Sequence, residues 1–140
     1  MFRRILVAFD GSEISRKAFD LAVELASLQK PAPRIFAISV VQPPESLYFV
    51  DMGEAVNAAT AQYEQMLGEL AAKAHDKGLN VSTEVLIGHP ADKIVRTARE
   101  QNCDLIIVGH KGRSALEGFI LGSVSRRVAS EAGCTVTIVK

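Results

Sequence analysis

The sequence has no tryptophan, only two cysteines and no net charge, because 16 Lys and Arg balance 16 Asp and Glu. Cys103 and Cys134 are too few for a disulfide framework, and no CxxC occurs. The zero balance supplies no positive field, which argues against a nucleic-acid module that works by neutralising phosphates. No apolar run reaches the roughly 18 residues of a membrane span, so no membrane partner is expected. The early apolar run Ile5-Leu6-Val7-Ala8-Phe9 meets Asp10 too soon for a signal peptide, and a cytoplasmic chain is expected. What is present is 48% hydrophobic and 23% charged residues over 140 positions, the composition of one globular domain and not of a disordered chain.

The apolar residues follow two periods that alternate along the chain. Short runs rich in Val and Ile, at 5–9, 35–41, 81–87, 105–108 and 135–139, have the length and β-branching of strands. Helical spacing lies between them. The first stretch carries Ile14, Ala18, Leu21, Ala22 and Leu25; the second, Val56, Ala59, Tyr63, Met66, Leu67, Leu70, Ala71 and Ala74. Ile94, Val95 and Ala98 follow Pro90, a favourable first-turn residue, and Leu121, Val124 and Val128 complete the set. This alternation implies right-handed crossovers and an α/β fold: one open, parallel, five-stranded sheet with helices on both faces. The runs 5–8 and 105–108 are continuously apolar, as central strands are, whereas 81–85 and 135–139 mix in polar residues, as edges do. The expected order is 3-2-1-4-5 in a single domain, 1–140. The chain then reverses direction between strands one and four, which opens a ligand crevice at their carboxyl ends.

Two segments fall at that crevice. After the first strand comes Asp10-Gly11-Ser12-Glu13, where Ser12 reads as a helix cap and the Asp10 carboxylate as an acceptor for a ligand hydroxyl or amine. After the fourth comes Gly109-His110-Lys111-Gly112-Arg113-Ser114, and Gly122-Ser123-Val124-Ser125 opens the last helix. Glycines let a backbone approach a ligand, and free N–H groups at a helix start form an anion site. Ser123 and Ser125 add hydroxyls; Lys111 and Arg113 add charge. That set suits a polyphosphate, although the same glycines also serve as turns. Neither GxxxxGK[ST] nor GxGxxG after the first strand is present, which disfavours a P-loop hydrolase and a Rossmann dehydrogenase. A phosphoacceptor regulator needs clustered acids after strand one and an Asp ending strand three; Asp10 stands alone and Ile87-Gly88 occupies the second place.

Gly109, two residues, Gly112, nine residues, then Gly122-Ser123 resembles the G-x2-G-x9-G-[ST] signature of ATP-binding universal stress proteins. Ile5 to Ser12, Gly88-His89-Pro90-Ala91, Asp104 to Gly109 and Leu121 to Ser125 extend the resemblance along the whole chain. It implies a Rossmann-like fold of the adenine nucleotide alpha-hydrolase kind, binding ATP (or ADP or AMP) and serving stress tolerance. It places Asp10 and Val40 around adenine and ribose, with Gly88 flanking the adenine, Val108 and Gly109 against the ribose, and Ala8 also in the ATP site. Gly112, Gly122, Ser123, Val124 and Ser125 would hold the phosphates, with Lys111 and Arg113 nearby and Mg²⁺ bridging through the phosphates. Two positions depart from the family pattern: Ala8, where relatives often carry Pro, and His110, which would narrow the pocket or give it a pH-sensitive donor.

Phosphoryl transfer needs a positioned nucleophile and a base as well as charge, and the sequence pairs neither His110 nor Glu117 with a nucleophile. His75 reads as a surface residue and His89 as a loop or cap residue. Binding with little or no hydrolysis is the expected activity. A slow hydrolase or phosphate-accepting protein, and an interaction protein with an unoccupied pocket, remain the alternatives. The last strand ends one residue before Lys140 and leaves an apolar edge, a template for a homodimer through Val136 and Ile138. Cys103 and Cys134 are expected as neighbouring buried thiols, and Leu47-Tyr48-Phe49-Val50 as a lid or a packing patch.

Overall fold

A computed structural model describes residues 1–43, 52–111 and 121–140. The elements run β1 (Arg4–Ala8), α1 (Glu13–Leu28), β2 (Arg34–Val41), α2 (Met52–Asp76), β3 (Val81–Ile87), α3 (Pro90–Glu100), β4 (Leu105–Gly109), α4 (Ser123–Glu131) and β5 (Thr135–Val139). All ladders are parallel, and the sheet order is β3-β2-β1-β4-β5, as expected. The patch 47–50, together with Gly112, Arg113 and Glu117, lies outside the described residues.

Side-chain alternation divides the core in two. Ile5, Val7, Ile35, Ala37, Leu105 and Ile107 face α1 and the second half of α2. Leu6, Phe36, Ile38, Ile106 and Val108 face α3 and α4. A central strand buried on both faces has no polar position to spare, which is why 5–8 and 105–108 are continuous apolar runs. Among the described residues no helix is long and apolar enough to cross a membrane.

Ser12 caps α1, its hydroxyl accepting from the Ser15 N–H at 3.1 Å. The stripe α1 buries is rotated from the expected one. Its centre is Ser15, Ala18, Phe19, Ala22, Val23 and Ala26, while Ile14, Leu21 and Leu25 lie half-buried on its flank. Small Ala residues at the centre let the helix approach the sheet closely, and the larger aliphatics cover the margins. In α2 the expected register holds, with Leu67, Leu70, Ala71 and Ala74 buried.

The amino ends of β1 and β4 are tied through Asp104. Its carboxylate accepts from the Arg3 N–H at 2.9 and 3.1 Å and from the Arg4 N–H at 3.0 Å. Beside it Cys103 is buried and Cys134 half-buried, both free thiols. Burial pushes the Cys103 thiol up to about 11, and burial also raises Cys134, so little nucleophilic thiolate exists at neutral pH.

Leu67 is 1% exposed and Leu28 77% exposed. Leu67→Ala should therefore lower unfolding free energy by about 2–5 kcal/mol. Leu28→Ala should change it by no more than about 0.5 kcal/mol. Urea unfolding of both variants checks the assignment of core and surface.

Candidate functional site

A cavity of about 460 Å³ opens over the carboxyl ends of the central strands, within the roughly 300–1,000 Å³ of small-molecule sites. Ala8, Phe9 and Asp10 line it from the end of β1; Val40, Val41 and Gln42 from β2; Val108, Gly109 and Lys111 from β4. Gly122, Ser123, Val124 and Ser125 enter from the start of α4, Pro90 and Ile94 from α3, and Ala59 and Tyr63 from α2. The topology fixes this position: β1 and β4 are adjacent, their following segments leave to opposite faces, and the gap between them stays open.

Gly88 is not part of the lining. It is the turn out of β3, with φ +148°, its N–H donating to the Val41 carbonyl at 2.9 Å. A Cβ there would stand 2.7 Å from Lys93 Cε. β3 is the edge strand beyond β2, and Gly88 reaches the cavity's margin only through its backbone, by the bond to Val41, which does line the cavity. Gly112 and Arg113 fall outside the described residues; the other expected residues Ala8, Asp10, Val40, Val108, Gly109, Lys111, Gly122, Ser123, Val124 and Ser125 come together.

The glycines and serines divide by local geometry. A Cβ on Gly109 would meet Ile14 Cγ2 at 2.6 Å, so glycine here lets α1 lie against the end of β4. A Cβ on Gly122 would meet His110 O and Lys111 Cα at 3.3 Å, and the Gly122 N–H donates to His110 O at 2.6 Å. That bond staples the start of α4 to the end of β4. The Ser125 hydroxyl is buried and donates to His110 O at 2.9 Å or Gly122 O at 3.1 Å. With its single hydrogen committed, Ser125 offers a ligand its N–H and not the hydroxyl donor expected from sequence. Ser123 is exposed.

The N-terminus of α4 is open. The first intrahelical bond runs from the Arg126 N–H to Gly122 O at 3.1 Å, and among the described residues no side chain caps the turn. The N–H groups of Ser123, Val124 and Ser125 come before that bond, and with the helix dipole they form a positive end at the cavity wall.

All three histidines face elsewhere. His110 does not narrow the pocket: its N–H and Nδ1 both reach the Val139 carbonyl, at 2.7 and 3.2 Å, continuing the ladder to β5. The carbonyl partner requires the hydrogen on Nδ1. His75 is exposed, with Nε2 3.2 Å from Val81 O, and His89 stands at the start of α3 with Nδ1 3.2 Å from Arg127 Nη1. Arg127 also pairs with Asp92 and with Glu131, which holds the Asp92 carboxyl below its ordinary range. Among the described residues no cluster of three His, Cys, Asp or Glu could hold a metal ion.

The universal stress protein profile matches residues 1–140. The chain belongs to the universal stress protein family. It is 36% identical over 152 residues to universal stress protein YxiE of Bacillus subtilis (strain 168), covering 100% of both chains. The solved structure of the hypothetical protein MJ0577 superimposes with TM-score 0.91 at 26% identity, over 100% of this chain and 96% of that one. A universal stress protein solved in complex with cAMP gives TM-score 0.68 at 27% identity, over 99% and 97%.

Sequence reasoning about this universal stress protein did not place Ala59 and Tyr63 at the site, because both sit on the helical stripe that continues into the core. A signal was available in element length. The 25 residues of α2 span about 37 Å. The 8 residues of β2 span about 26 Å, so one end of the helix must overhang the sheet.

Since Ile14 is β-branched and its Cγ2 cannot swing away freely, Gly109→Ala should cost about 1–3 kcal/mol. Adding Ile14→Ala should recover part of that loss. A double-mutant cycle by urea unfolding measures the coupling, and strictly additive losses would contradict this contact.

Proposed function

We propose that this universal stress protein binds an adenine nucleotide, ATP with Mg²⁺, in the cavity. In this reading it acts as a dimeric regulatory module of the stress response with little or no hydrolysis, in the cytoplasm. The observation that carries the reading is the uncapped start of α4 at the wall of a largely apolar cavity. Polyphosphate suits the N–H groups of Ser123, Val124 and Ser125 close to Gly122 and Lys111, and Gly112 and Arg113 belong to the same segment. Val108, Gly109 and Asp10 would take the ribose.

Adenine is favoured by the end of β2. The β1 ladder stops at Ala8 opposite Ile38, followed by one bond from the Phe9 N–H to Ile38 O at 2.8 Å. Backbone groups alternate sides along a strand, so those of Val40 point the same way as those of Ile38, toward the place β1 has left. One N–H and one C=O side by side match the acceptor N1 and donor N6 of adenine and mismatch the corresponding edge of guanine. A relative of the same fold solved with cAMP supports an adenine ligand. The donor set, with Asp10 as its carboxylate, fits a Mg²⁺ carried on the phosphates with its waters better than one caged by protein. The three histidines, all bonded elsewhere, support binding over turnover.

Protein stripped of nucleotide should titrate with Mg·ATP to a stoichiometric heat. Ser123→Glu places a carboxylate at the helix start, which favours the helix by up to about 1 kcal/mol. The same charge repels phosphate, so affinity should fall by on the order of tenfold or more while the melting temperature holds. Undiminished affinity in this variant would remove the phosphates from α4.

The dimer rests on the free side of β5. His110 bonds the Val139 carbonyl, so residues 135, 137 and 139 face β4 with their backbone, and Val136 and Ile138 turn theirs to the open edge. The side chains of Val136 and Ile138 already pack on the chain's own core. Ile138→Pro deletes one outward N–H and spares the β4 ladder. It should elute as a monomer on sizing; an unchanged dimer would refute pairing through β5.

A further inference from the structure

Tyr63 stands where α2 leaves the sheet. Its ring lines the cavity, and its hydroxyl donates to the main-chain carbonyl of Asp10 at 3.3 Å. Asp10 is also held by its N–H, which donates to Ser15 Oγ at 3.3 Å, and by its Oδ1, which accepts the Ser12 N–H at 3.0 Å. The next residue is Gly11, with φ +84°, a position where the chain turns and an adjoining peptide plane rotates at little steric cost. Met66 of the same helix covers it, since a Cβ on Gly11 would lie 3.6 Å from Met66 Cε.

The plane of the Asp10–Gly11 peptide governs where the Ser12 N–H arrives, and that N–H orients the Asp10 carboxylate in an Asx turn. The Tyr63 hydroxyl holds this plane through the Asp10 carbonyl. We infer that Tyr63 is the positioning residue of the sugar subsite: by fixing the Asp10 peptide it aims the carboxylate at the 2′- and 3′-hydroxyls of a bound nucleotide, and so sets a preference for ribonucleotides. A carboxylate has acceptor capacity for several partners, so its bond from Ser12 does not bar sugar hydroxyls. The inference rests on the adenine-nucleotide reading above and adds the group through which α2 selects the sugar.

Calorimetry with Mg·ATP and Mg·2′,3′-dideoxy-ATP tests it. The wild-type chain should prefer ATP by on the order of tenfold or more, the size of a lost hydrogen bond to a charged group. In Tyr63→Phe the ring stays and the ratio should fall toward unity. Asp10→Asn should lower the ratio as well, and the double variant should lower it no further than Asp10→Asn alone. A ratio retained in Tyr63→Phe, or separate additive losses in the double variant, overturns the positioning role. Equal affinity of the wild-type chain for both nucleotides overturns it too, and leaves the binding function standing. Failure of the wild-type chain to bind either nucleotide would overturn the function and this inference together.

Discussion

The cavity depends on β1 and β4 lying side by side, Ile5 opposite Leu105 and Val7 opposite Ile107. This pairing joins strands a hundred residues apart, and it is buried on both faces, so water competes at neither. At its amino end Asp104 accepts from the N–H groups of Arg3 and Arg4. At its carboxyl end the two segments separate, one into α1 and the other toward α4. The gap follows from handedness, because right-handed crossovers carry the two connections to opposite sides of the sheet.

Glycine at the rim serves packing first. Gly109 admits Ile14 of α1, and Gly122 admits the backbone of His110 and Lys111. These contacts draw two helix starts toward one cavity, α1 through Asp10 and Ser12 and α4 through its uncapped turn. Packing and access to the cavity are therefore linked here: the close approach that a Cβ would prevent is what brings the N–H groups to the wall. The serines show the same economy, since Ser15 holds the Asp10 N–H and Ser125 holds the His110 carbonyl.

Much of the fold was legible because its signals are local. Period two against period three and a half separates strands from helices, and polar residues in 81–85 and 135–139 mark the edges. At the site, Asp10, Val40, Gly109, Lys111 and Gly122 to Ser125 were readable as residues ending strands or opening a helix. Gly88 answers a φ of +148° at an edge strand, and a backbone requirement and a ligand requirement look alike in sequence. His110 misled because its ring direction depends on β5, 29 residues further on. Ala59 and Tyr63 went unseen because periodicity reports which face of a helix is apolar and not where the sheet beneath it ends.

By itself the sequence determined the alternation of elements, the central and edge strands and the cap at Ser12. Each of these is a property of neighbours along the chain, set by side-chain period, β-branching and backbone freedom. Only the tertiary structure decided which hydroxyls and imidazoles stay available at the cavity. The Ser125 hydroxyl and the rings of His75, His89 and His110 are all committed to partners within the chain, and Tyr63 is brought to Asp10 across 53 residues. The physical reason is that a hydrogen bond depends on a few tenths of an ångström and on angle, and those quantities exist only once the helices have settled on the sheet.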